Sequence, residues 1–178
     1  MNRFARLLSI SASCTSPDTL RMWMLSVRRK GDPLDSCFGF VDATVRPICR
    51  PSGHQRRAYN GHKRVHAIKF QSVSAPDGRI IDLTGLWEGG RHDCGKLRES
   101  GLVERLEVIS DMVEGACIYG DSAYPIFPEL IVPFKESICT EDELEFNRRM
   151  SKVSVSVKWC FDKVVSLFPV VDFNKHLK

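Results

Sequence analysis

The chain has 178 residues, 43% of them hydrophobic and 27% charged, with a formal net charge of +4. That is the make-up of one ordinary globular domain with a sizeable core, which excludes a disordered or fibrous chain. No apolar run approaches the 18 or more residues of a membrane span, and seven scattered cysteines without a Cys-x-x-Cys pair exclude a disulfide framework and a zinc ribbon.

Residues 1–35 are expected to form a partly helical N-terminal extension in front of a domain spanning 36–178. In the extension, Ser16 caps a helix opened by Pro17, running through Leu20, Met24 and Val27 and stopped by Gly31. Asp32-Pro33 breaks the chain before a first strand at 37–45. Pro47 and Pro51 bound a loop. Strands at 66–74 and 79–83 are joined through Pro76-Asp77-Gly78, where glycine supplies the positive φ of a turn. A helix over 93–107, interrupted by Gly101, leads to short buried strands at 116–119 and 130–134.

The last element is a long helix. Thr140-Glu141-Asp142-Glu143 fits a capping box, with three acids at the positive end of the helix dipole. Met150, Val153, Val157, Phe161, Val164 and Phe168 then recur at spacings of three and four, the stripe of a core-facing helix. Val153, Val155 and Val157 also alternate with serines, a strand-like period of two. The longer stripe decides for helix. Together these elements suit an α/β fold, a mixed sheet with flanking helices. The cysteines read as small buried hydrophobes of a reducing compartment.

Charge is unevenly spread. Between Ala43 and Pro76 there is no acid, yet Arg46, Arg50, Arg56, Arg57, Lys63, Arg64 and Lys69 give a local +7, leaving −3 for the rest. Such a segment is an expected footprint for a polyanion such as DNA, and a solvated loop is the plainer alternative. His62 and His66 share a helical spacing, but Lys63 stands where a zinc hydrolase of the His-Glu-x-x-His kind needs glutamate.

Two aspartates draw attention because each stands where an apolar run ends or is interrupted. They are Asp42, within Phe40-Val41-Asp42-Ala43, and Asp121, within Tyr119-Gly120-Asp121-Ser122. Phosphodiester cleavage needs an activated water and a stabilised leaving oxygen, and two divalent cations held by clustered carboxylates supply both. Taken alone, each aspartate is equally at home in a turn or a cap.

Several segments carry a resemblance beyond spacing. They include Phe40-Val41-Asp42-Ala43-Thr44-Val45-Arg46-Pro47-Ile48, Tyr59-Asn60-Gly61-His62-Lys63-Arg64-Val65-His66-Ala67 and Glu88-Gly89-Gly90-Arg91-His92-Asp93. Gly120-Asp121-Ser122-Ala123-Tyr124-Pro125, Phe146-Asn147-Arg148-Arg149-Met150 and Val153-Ser154-Val155-Ser156-Val157-Lys158-Trp159 complete the set. In this order they resemble the DDE endonuclease domain of Harbinger-type (PIF/Harbinger) transposases.

The resemblance implies a ribonuclease-H-like fold and cleavage of DNA with Mg²⁺ or Mn²⁺, the first two acids falling on Asp42 and Asp121. It implies nuclear residence, with the cytoplasm as alternative. Asp93 matches a further acidic position of the family pattern. Lys158 stands where the family has the third carboxylate, a glutamate, and Asp162 stands where it has glycine. At 4 Å and an effective dielectric near 20, each unit-charge interaction is about 4 kcal/mol, roughly doubled for a divalent ion, so an ammonium here opposes metal binding. Asp162, one helical turn on from position 158, is a candidate substitute ligand. The resemblance also implies incompleteness: no counterpart of the family's DNA-reading helices precedes the domain, so a partner protein would supply that function, and the C-terminal helices are cut short. The expected function is a DDE endonuclease domain impaired by Lys158. The alternatives are a non-catalytic nucleic-acid-binding protein using the basic segment, and a decayed fragment without activity.

Overall fold

The computed structural model describes the backbone of residues 5–8, 15–91 and 93–167, and the side chains of residues 15–91, 95, 97–135 and 137–155. Helix α1 (Pro17–Arg29) forms where expected. The Ser16 hydroxyl accepts from the Thr19 N–H at 3.2 Å, Pro17 opens the helix, and Leu20, Trp23, Met24 and Val27 are buried at the spacings of one helical face. Gly31, at φ 96°, follows its end.

A mixed sheet forms the centre. Its strands are β1 (Ala5–Leu8), β2 (Cys37–Pro47), β3 (Tyr59–Asn60), β4 (Val65–Ser74), β5 (Ile80–Glu88), β6 (Cys117–Tyr119) and β7 (Leu130–Ile131). The order is β1-β5-β4-β2-β6-β7, with β3 paired to β4. The β1–β5, β5–β4, β4–β2 and β3–β4 pairs are antiparallel, whereas β2–β6 and β6–β7 are parallel. This is a mixed α/β sheet compatible with the ribonuclease-H-like expectation. The stretch read as an extension is part of it, since β1 is an edge strand and α1 packs into the core.

Helices lie on both faces. Helices α2 (Gln55–Ala58), α3 (Asp93–Ser100), α4 (Leu102–Met112) and α5 (Glu141–Leu167) complete the set, with a 3-10 turn at Glu136–Ile138. One face of the sheet carries Val41 and Val73, packed with Leu97 of α3 and Leu102, Leu106 and Ile109 of α4. The alternate positions, Phe40 of β2 and Tyr119 of β6, pack with Met150 and Val153 of α5. Strand alternation thus makes two faces with separate cores.

Several expectations shift in detail. The strand read as ending at Leu83 continues to Glu88, because Gly85 leaves room for the Phe70 ring; a Cβ there would lie 2.2 Å from it. Leu86, at φ 66°, is the extra residue of a bulge between Gly85, opposite Phe70, and Trp87, opposite Lys69. Gly101, at φ 63°, separates α3 from α4. The strand expected at 130–134 is only Leu130–Ile131. In α5 the capping box is made as read: Thr140 N–H donates to Glu143 Oε2 at 2.7 Å and Glu143 N–H donates to Thr140 Oγ1 at 3.4 Å. Val153 is 3% exposed and Val155 50%, so the local alternation of valines is overridden by the helical stripe.

Candidate active site

Strand register decides where the two aspartates fall. Phe40 stands opposite Tyr119 across the parallel β2–β6 pair, and their rings meet edge-on at 6.4 Å. Asp42 and Asp121 each come two residues later, so period-two alternation brings both toward the face that α5 covers. Asp42 is held mid-strand, paired on its other side with Ser72 of β4. Asp121 comes just after β6 ends, and its Oδ1 accepts the Ala123 N–H at 2.7 Å. It is therefore a turn residue as well as a candidate ligand, a double use that leaves one oxygen outside that bond.

Gly120 sets how close the two segments come. A Cβ there would lie 2.9 Å from Val41 Cγ1, 3.1 Å from Tyr124 Cδ2 and 3.3 Å from Leu130 Cδ1. Only glycine lets the chain pass this near to β2 on the way into Asp121. A small cavity of about 110 Å³ opens beside it, with Val41, Tyr119, Gly120, Asp121, Ser151 and Ser154 among its walls. Ser154 is 7% exposed and brings α5 to the rim.

Position 158 lies on α5, one turn beyond Ser154, and position 162 one turn further; the side chains of Lys158 and Asp162 lie outside the described residues. Asp93 opens α3, and its side chain also lies outside them. Its helix packs, through Leu97, on the sheet face opposite to α5. Among the described residues no group of three His, Cys, Asp or Glu side chains could hold a metal ion. Register thus sets Asp42 and Asp121 each two residues past the Phe40–Tyr119 pair, and the described residues do not fit a complete two-metal site.

The floor of this face is poor in compensating charge. Asp32 is 4% exposed, and burial raises its carboxyl above the usual value of 3.8, against a hydrogen bond from the Leu34 N–H. Its Oδ2 has no hydrogen-bond partner among the described residues, and neither has the buried Tyr119 hydroxyl. Burial, with Cys37 and Asp32 nearby, pushes that phenol up to about 12. Cys37 and Cys117 face each other across β2–β6, and the hydrogen bond between them and burial hold Cys37 as a thiol. These two cysteines are buried as expected, whereas Cys49 is exposed.

The basic residues differ in their surroundings. Arg46 lies on β2, Arg50 binds Gln55 Oε1 at 2.7 and 2.9 Å, and Arg57 pairs with Glu88 at 2.9 Å. Arg56, Lys63 and Arg64 are exposed at α2 and at the β3–β4 turn. Lys69, expected at the surface, is only 8% exposed and donates to the Arg91 carbonyl at 2.5 Å. His62 is in that turn and His66 in β4, so they share no helix. Asn60 and Arg91, which composition does not single out, bracket a pocket beside Lys69. The signal that could have found them is the pair of glycines, Gly89 and Gly90, whose Cβ atoms would strike the carbonyls of Ala58, Ala67 and Arg57.

Comparison with known proteins follows the same lines. A family model described as DDE superfamily endonuclease matches residues 41–177. The Arabidopsis thaliana protein ALP1-like is 24% identical over 154 residues, covering 78% of this chain and 37% of that relative. The chain thus spans little more than a third of the relative's length. No solved structure gives a significant match.

Proposed function

Since the chain belongs to the transposase-derived DDE superfamily endonucleases, we propose that it is a DNA-binding domain of Harbinger-type descent whose phosphodiester-cleaving site is disabled by Lys158. Enzymes of this class typically use divalent metal ions, and Asp42 and Asp121 are the residues here that would hold Mg²⁺ or Mn²⁺. The observation that carries the reading is their two-residue offset from the Phe40–Tyr119 register pair, beneath the helix that bears position 158. An ammonium in place of the third carboxylate removes one attraction and adds one repulsion, each on the order of several kcal/mol for a divalent ion at short range. No cleavage step is derived through metals that the described residues do not fully ligate.

DNA affinity is assigned to the exposed part of the basic segment, with Arg56, Lys63 and Arg64 as its contact residues. Nuclear residence and a partner protein that reads DNA sequence complete the proposal. Among the described residues no helix is long and apolar enough to cross a membrane.

Titrating Mn²⁺ calorimetrically into wild type and Lys158→Glu tests the disabled site directly. Wild type is expected to show no saturable binding and no nicking of supercoiled plasmid, whereas Lys158→Glu gains measurable binding. Tight Mn²⁺ binding by wild type, or plasmid nicking by it, defeats the proposal.

A further inference from the structure

The antiparallel register of β2 and β4 carries the face of Asp42 outward along the sheet. Asp42 stands opposite Ser72, Thr44 opposite Phe70 and Arg46 opposite Ile68, with no slip between them. Side chains alternate between faces, so His66, two residues before Ile68, looks out on the same side as Asp42. His66 pairs in turn with Tyr59 of β3, and the two rings meet edge-on with centroids 5.4 Å apart. Ile48, whose N–H donates to the His66 carbonyl, comes six residues after Asp42. At the rise of a strand, Tyr59 therefore stands about 20 Å along the sheet from Asp42.

Burial alternates along β4 with the same period. Ala67, Lys69 and Gln71 are buried on the α3/α4 side, while His66, Ile68 and Phe70 are half-buried. At this end of the sheet the Asp42 face is thus the open one, and Tyr59, 41% exposed, ends the strip. The backbone that carries Tyr59 is clamped. Asn60, 5% exposed, donates from Nδ2 to the Gly89 carbonyl at 2.9 Å, and its Oδ1 accepts the Lys63 N–H at 2.8 Å. The Gly90 N–H donates to the Arg57 carbonyl at 3.0 Å, and a Cβ on Gly90 would lie 3.2 Å from the Tyr59 carbonyl oxygen. An edge-on neighbour steadies the Tyr59 ring without covering both of its faces. A ring fixed in this way loses little freedom when a flat group is laid against it.

We infer that Tyr59 is a stacking platform for an unpaired base of a DNA strand that runs over the open face from Asp42. The inference rests on the DNA-binding reading above and adds to it the form of the DNA. Every base has a π face, so the contact needs neither hydrogen-bond readout nor an unbalanced charge on the protein. In a paired duplex those faces are stacked on one another and closed to a side chain. A strand at the spacing of the B form would reach Tyr59 about six nucleotides from Asp42. A lone exposed tyrosine is ordinary on a protein surface. What marks this one is the open strip that joins it to Asp42 and the bracing by His66.

Tyr59→Leu keeps the apolar bulk and removes the π face, whereas Tyr59→Phe retains it. The readout is fluorescence anisotropy of two labelled probes, a single-stranded oligothymidylate and a fully paired duplex of equal length, with thermal melting of each variant. Tyr59→Leu is expected to melt like wild type, to bind the single strand about tenfold more weakly, the loss of one stacked base, and to bind the duplex unchanged. Tyr59→Phe is expected to match wild type on both probes. If wild type binds DNA and Tyr59→Leu holds the single strand equally well, no base stacks there, and the inference falls while DNA binding stands. An equal loss on both probes makes Tyr59 a general contact and overturns the inference, as does Tyr59→Phe behaving like Tyr59→Leu. If wild type binds neither probe, the reading beneath falls, and the inference with it.

Discussion

Each face of the sheet buries an aspartate, and the two are treated differently. Asp82, beneath α4, has a side chain 1% exposed and meets Arg105 at 2.7 Å; that arginine also donates to the Ser100 and Gly101 carbonyls. Asp32, on the α5 face, is nearly as buried yet keeps one oxygen without a hydrogen-bond partner among the described residues. A buried charge is tolerable when paired and hydrogen-bonded and costly when it is not. The α3/α4 face therefore pairs its buried aspartate with a cation, although Arg105 Nε and Gln71 Oε1 there have no hydrogen-bond partner among the described residues. On the α5 face it is a carboxylate oxygen, Asp32 Oδ2, that lacks a hydrogen-bond partner among the described residues, together with the Tyr119 hydroxyl.

Removing compensation where it is complete should have the largest effect. Arg105→Met leaves Asp82 buried without its cation and is expected to cost about 3–5 kcal/mol in denaturant unfolding. A loss below about 1 kcal/mol would mean that Asp82 is not held as the geometry indicates. Next comes Met150→Ala, which empties a fully buried position between α5 and the Phe40–Tyr119 pair. A loss of about 2–5 kcal/mol is expected from transfer and cavity terms. Should it cost almost nothing, α5 does not cover this face, and the relation of position 158 to the aspartates goes with it.

The smallest change should be favourable. Asp32→Asn keeps an acceptor for the Leu34 N–H and removes the buried charge. Because burial raises the folded-state carboxyl, wild-type stability is greatest when the group is protonated in both states. It is lost as pH climbs from the ordinary 3.8 through the raised folded value. Melting temperatures of wild type and Asp32→Asn should therefore converge in acid and separate toward neutrality, with the asparagine variant higher. The reverse order at neutral pH would show that the Asp32 charge is stabilising, through Arg149 or a further partner.

What could be read in advance was local. Ser16-Pro17 and Thr140–Glu143 each carry their structural instruction within four residues, and the structure follows both. Residues 5–8 carry no such instruction; they become β1 only because β5 offers an edge to pair with. Likewise Gly85 looks like a stop signal until Phe70, fifteen residues earlier, covers it. The two aspartates were visible as types, but their adjacency depends on the parallel β2–β6 register, which no spacing along the chain encodes. Lys69 looked like one more surface cation because its neighbours are basic; its burial follows from pairing opposite Val45 and Trp87.

The tight passage at Gly120 bears on how such a chain ages. Any larger residue there collides with Val41, so folding alone is enough to keep the glycine, whatever becomes of turnover. A lineage that gave up cutting would go on holding Asp121 beside Asp42 as a by-product of staying folded. The placement of these two acids thus follows from folding as readily as from chemistry, and position 158 on the helix opposite is where the two readings part.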